Sequence, residues 1–130
     1  MPTIVSTGVA GQNIVYVGNV AGDPKQDSGS VSYVAGTAVD VAQFTVGTGK
    51  IRFLTQVFCS SPISGRMDVL EDSTIIGTAR ITAGKTDAQF SWLPYREISA
   101  GTVVKMQFTA RAGAPTGTVQ GYVQSSESTA

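Results

Sequence analysis

From Val31 onward, apolar residues recur singly or in short runs between turn residues, and their period is two, not 3.6. The run from Val103 to Arg111 shows this most cleanly: Val104, Met106, Phe108 and Ala110 fall on one side, and Lys105, Gln107, Thr109 and Arg111 on the other. Met67 and Val69 oppose Arg66 and Asp68 in the same way, and Ala88, Phe90 and Trp92 oppose Gln89 and Ser91. One dry and one wet face per strand is the pattern of antiparallel sheets packed on a core. Strands are expected over 31–36, 38–46, 50–59, 65–71, 74–82, 86–92, 95–98, 102–111 and 117–124. Turn chemistry joins them at Gly47-Thr48-Gly49, Ser61-Pro62, Glu71-Asp72-Ser73, Ala83-Gly84-Lys85, Ala100-Gly101 and Gly113-Ala114-Pro115. No helical period of useful length appears. The fold class that follows is all-β, an antiparallel β-sandwich.

The run from Lys50 breaks the rule. Ile51, Phe53, Thr55 and Val57 lie on one face, yet the other carries Leu54 and Phe58 beside Arg52 and Gln56. Such a strand is either central and covered by an arm or part of a subunit contact, so Leu54 and Phe58 are candidate partner-contact residues. The segment before Val31 offers a cover. It holds five glycines, one short extended run, Asn13 to Val17, and the turn-rich stretch Gly22 to Gly29. Residues 1–30 are therefore read as an extended N-terminal arm, 31–124 as the sandwich domain, and the small polar residues 125–130 as a frayed tail.

Composition narrows the function. The 130 residues suffice for one domain with its own core, and only 14% of them are charged, against roughly 25% in ordinary soluble domains. A surface rich in Ser, Thr, Gly and Gln is covered by another protein with little ion desolvation. Nine basic and nine acidic residues cancel and occur singly, which gives no footprint for a phosphate backbone or an anionic membrane; neither nucleic acid nor membrane is expected as a partner. The Met1-Pro2-Thr3 start has no basic, then apolar, signal-peptide pattern, and synthesis in the cytoplasm is expected.

Candidate chemistry is sparse. There is no histidine, so triads and His-based zinc sites are excluded, and the single Cys59 reads as a small buried residue at a strand end. Asp68, Glu71 and Asp72 are close enough in sequence for a glycosidase pair or a calcium site, but their place at a strand-turn junction favours turn capping by solvated carboxylates. No phosphate-loop or nucleophile-elbow motif is present. Trp92 and Tyr95 could stack on a sugar, although alternation puts Phe90 and Trp92 with Ala88 in the core. No catalytic residue, cofactor or metal is expected.

Lys50-Ile51-Arg52-Phe53 opening a long strand, Met67-Asp68-Val69-Leu70 running into a polar hairpin, and Ile98 to Val104 leading into the last long strand together resemble the small jelly-roll or β-sandwich virion proteins of tailed bacteriophages, especially capsid decoration proteins. The resemblance spans about Lys50 to Val123. It implies a jelly-roll sandwich and a homo-oligomer, commonly a trimer, seated on the major capsid protein or another virion protein. It also implies a location in the virion, with an arm whose apolar anchors would be Ile4, Val5, Ile14 and Tyr16. The alternative is a carbohydrate-binding module or receptor-binding tail-fibre tip built on Trp92 and Tyr95.

Overall fold

The computed structural model describes residues 22–130, and every regular element among them is a strand: β1 (Asp23–Tyr33), β2 (Ala38–Thr45), β3 (Lys50–Ser60), β4 (Gly65–Glu71), β5 (Thr74–Ile81), β6 (Asp87–Ile98), β7 (Val103–Ala110) and β8 (Gly117–Thr129). All pairings are antiparallel. β1 pairs with β8, β2 with β7, β3 with β6 and β4 with β5, as if the chain were one long hairpin. That hairpin then rolls on itself, because β8 also pairs with β3 and β7 with β4. The result is two four-stranded sheets, β1-β8-β3-β6 (the first sheet) and β2-β7-β4-β5 (the second), in the strand order of a jelly roll.

The core lies between the sheets, where the alternating residues predict it. Val104, Met106, Phe108 and Ala110 of β7 are buried against Val57 and Cys59 of β3 and Val119 and Val123 of β8, with Tyr33 edge-on to Phe108. The sheets approach closely where Gly29, Gly121 and Cys59 form one inward row across β1, β8 and β3. A Cβ on Gly121 would collide with the Phe58 carbonyl and the Met106 methyl, and one on Gly29 with the Val41 carbonyl. Glycine here makes room for the neighbouring strand and for the opposite sheet, not for a turn.

Three expectations change. Residues 23–30, read as part of a turn-rich arm, are the first eight of the eleven residues of β1; Ser, Gly and Gln have little strand preference of their own, but β8 pairs with the strand position by position from Asp23↔Glu127 to Tyr33↔Gly117. The polar tail is likewise strand: Ser125 to Thr129 complete β8 between β1 and β3, and Ser125 turns inward to accept a hydrogen bond from Arg52. The two short strands expected at 86–92 and 95–98 are one strand, β6, whose pairing with β3 steps from Ser91 to Arg96 while β3 steps only from Gln56 to Leu54. The sandwich thus runs from Asp23 to Thr129. Residues 1–21, and with them Ile4, Val5, Ile14 and Tyr16, lie outside the described residues.

The odd strand at Lys50 has a simple cause. Register shifts between Leu54 and Gln56 against both neighbours, so Thr55 is an extra residue that reverses the inside–outside parity. Before it Arg52 and Leu54 point inward; after it Val57 and Cys59 do. Leu54 is therefore a core side chain with no exposure, not a partner contact, while Phe53 and Phe58, assigned to opposite faces by alternation, share the outer face.

Candidate interaction surface

The outer face of the first sheet is built in cross-strand rows. Ser28 of β1, Tyr122 of β8, Phe58 of β3 and Gln89 of β6 form one row; Gln26, Gln124, Gln56 and Ser91 form the next; Pro24, Ser126, Phe53 and Glu97 a third. On β1, β8 and β3 no outward position is charged. Their outward side chains are Ser, Gln, Thr and Pro around Ile51, Phe53, Phe58 and Tyr122. The charged residues of β1 alternate to the other side: Asp27 reaches inward to Arg52 Nη1 at 3.2 Å, and Lys25 to Glu127.

The rows are held together laterally. Phe58 and Tyr122 stack with centroids 5.3 Å apart and planes 17° from parallel, and Phe53 meets the ring of Tyr95 edge-on at 4.8 Å. Between these pairs Gln56 donates to the Tyr122 hydroxyl, and Gln124 donates to the Gln26 carbonyl oxygen at 3.2 Å. The four residues of β6 that are unpaired with β3, 92–95, stand beside this face. Leu93 is 90% exposed and Tyr95 40%, the largest exposure of any big apolar side chain among the described residues belonging to Leu93. Phe58 lies on an outer face, as expected, but beside aromatics and not beside Leu54 and Arg52, and Phe53, Tyr122, Leu93 and Tyr95 were missed as members of the surface. Only the Thr55 bulge and the pairing of β8 with β3 reveal that they converge.

The outer face of the second sheet is the opposite in character. Asp40 faces Lys105 at 3.7 Å and accepts from Gln107 at 2.8 Å. Asp68 accepts from Arg66 Nε at 2.9 Å and from Thr78 Oγ1 at 2.8 Å, with Arg80 opposite Arg66. A charged, internally paired face is suited to water; the uncharged part of the first face, over β1, β8 and β3 with its stacked Phe and Tyr, has the composition of an interface centre, where charge is depleted and aromatics are enriched.

The remaining candidates are accounted for by the fold. Asp68, Glu71 and Asp72 do not converge: Asp68 is buried under Arg66 and Thr78, Glu71 accepts from Arg96 Nε at 2.7 Å, and Asp72 sits in the left-handed region at φ 56° and accepts from the Val103 N–H. Capping describes Asp72; Asp68, expected to be solvated, is not. Among the described residues no group of three His, Cys, Asp or Glu side chains could hold a metal ion. Cys59 is fully buried, and burial pushes its thiol up to about 12. Trp92 leans on Phe90 at 4.8 Å and packs against the core, where Phe90 also fills the space over Gly77. Trp92 and Tyr95 therefore belong to different aromatic pairs and form no common platform.

No protein-family model matches this chain, and no curated protein matches it in sequence.

Proposed function

We propose that this chain is a non-catalytic structural protein that docks on a protein lattice through the outer face of its first sheet, and that it serves as a capsid decoration protein of a tailed bacteriophage. The observation that carries the docking is the contrast between the two outer faces. The face made by β1, β8 and β3 bears no charge and presents Phe53, Phe58 and Tyr122, with Leu93 and Tyr95 at its rim, while the other face carries its own ion pairs. Covering the part of this face over β1, β8 and β3 strips water from no ion, since its carboxylates, Asp87 and Glu97, stand on the edge strand β6, and the glutamines and serines of its rows offer donors and acceptors at the margin. The phage setting and a trimeric state come from the resemblance over Lys50 to Val123, which the jelly-roll strand order suits.

The test is binding of the purified protein to heads of the phage that encodes it, assembled without it and followed by co-sedimentation. Saturable binding with a fixed ratio to the major capsid protein is expected, together with light scattering showing an oligomer in solution or on the head. A monomer that leaves the heads bare at all concentrations would overturn the proposal. A glycan array separates the other class of reading, since a lattice protein should give no glycan signal that Trp92→Ala removes.

A further inference from the structure

A pocket of about 360 Å³ opens on the other side of the molecule, at the end of the second sheet where β4 begins, and its lining includes Arg66, Arg80 and Arg111 but no carboxylate. Arg66 of β4 stands directly across from Arg80 of β5, an arrangement of like charges that weakens a sheet unless something compensates. Arg111 is brought to the same end because its N–H donates to the Ser64 carbonyl at 3.0 Å, continuing the β4–β7 ladder past its last pair.

The chain supplies little of that compensation. All nine acidic residues lie within the described segment, and only Asp68 answers these arginines, through Arg66 Nε alone. Arg80 has no ion pair among the described residues, and Arg111 donates only to the neighbouring Ala112 carbonyl at 3.3 Å. Three guanidinium forks with most of their N–H groups free, next to the hydroxyl residues Ser64, Thr82 and Thr109, form a donor-only cluster. Arginine forks match the paired oxygens of phosphate and sulfate, and the volume lies at the lower end of the roughly 300–1,000 Å³ typical of small-molecule sites, which leaves room for an attached group.

We infer that this pocket binds a phosphate or sulfate group, held by Arg66, Arg80 and Arg111, and that it accepts the group as an ester as well as the free ion. The inference is independent of the docking face, which lies on the opposite sheet.

Amide NMR titration of the full chain at constant ionic strength tests it, with inorganic phosphate, inorganic sulfate and methyl phosphate as probes and chloride as the reference. Saturable shifts at Ser64, Gly65, Arg66, Thr82 and Arg111 are expected, with affinity falling about tenfold in Arg80→Gln and Arg111→Gln, as loss of a charge-assisted contact does. Lys50→Gln, at the other end of the sandwich, should bind as the unaltered chain does. Arg80→Lys keeps the charge without the fork and should fall between. Methyl phosphate matching inorganic phosphate supports the ester site, and binding of inorganic phosphate alone would overturn the claim that an ester is accepted. Shifts that never saturate, that spread over all basic residues, or that persist undiminished in Arg80→Gln would overturn the site; because Arg80 is exposed and opposed by a like charge, that variant should melt no lower than the unaltered chain.

Discussion

Among the described residues Arg52 is the only basic side chain that the fold takes inside, and its surroundings explain why it is tolerated there. Its Nε donates to Glu127 at 3.1 Å, its Nη1 to Asp27 at 3.2 Å and Ser125 at 3.0 Å, and the guanidinium lies 4.3 Å from the centre of the Phe44 ring. These bonds tie β1, β8 and β3 together and lean on β2 of the facing sheet, satisfying a charge that would otherwise be costly to bury. The hydrogen bond from Arg52 holds the Glu127 carboxyl below its ordinary 4.5. A depressed acid contributes stability that is complete above its unfolded value and is lost as pH falls through the folded one. Arg52→Ala should therefore lower the melting temperature at pH 7, and the gap to the unaltered chain should narrow as pH drops below about 4.5; a gap that is constant with pH would refute the coupling. Cys59, desolvated and with its thiol pushed up to about 12, should ignore a thiol reagent in the native state and react only as fast as the domain unfolds.

At the scale of elements, β3 shows how one extra residue decides a surface. Leu54→Ala empties a fully buried site and should cost about 2–5 kcal/mol by chemical denaturation, whereas Phe58→Ala, which removes a stacked ring from the outer face, should cost about 1 kcal/mol. Equal losses would mean that the parity reversal at Thr55 is wrong. Strict alternation made β7 legible in the sequence, since every one of its inward residues is large or apolar. β3 was legible as a strand but not in its faces, because a bulge leaves no mark in a pattern that is apolar on both sides. β1 and the end of β8 were illegible for a different reason: Asp23 to Ser32 and Ser125 to Thr129 have no apolar alternation, and their strand structure comes from pairing with each other and with β3. Deleting residues 1–30 should accordingly do more than trim an arm. It removes most of β1, including Asp27 and the inward Gly29, and bares the long edge of β8, so a lower melting temperature and aggregation by light scattering are expected.

At the scale of the whole molecule, the informative feature is the partition of charge between the two faces, which composition alone could not convey. A charged share of 14% predicts a neutral surface on average; the roll leaves the outward positions of β1, β8 and β3 uncharged and sets the Asp40–Lys105 and Asp68–Arg66 pairs on the outer face of the second sheet. That partition depends on which strands become neighbours, and in a jelly roll those neighbours are far apart in sequence, with β1 paired to β8 and β3 to both β8 and β6. The central claim is that the neutral face is the docking face, and a charge placed on either face tests it most directly. Gln56→Lys and Gln124→Lys put one charge each in the middle of the Phe58–Tyr122 and Phe53–Tyr95 pairs, and Gln107→Lys puts one on the second sheet beside Lys105 and Asp40. In co-sedimentation with heads assembled without the protein, the first two should bind at least about tenfold more weakly, since an ion must then be desolvated at the centre of the contact, and Gln107→Lys should bind like the unaltered chain. Unchanged binding by the first two variants, or loss in the third alone, would contradict the assignment.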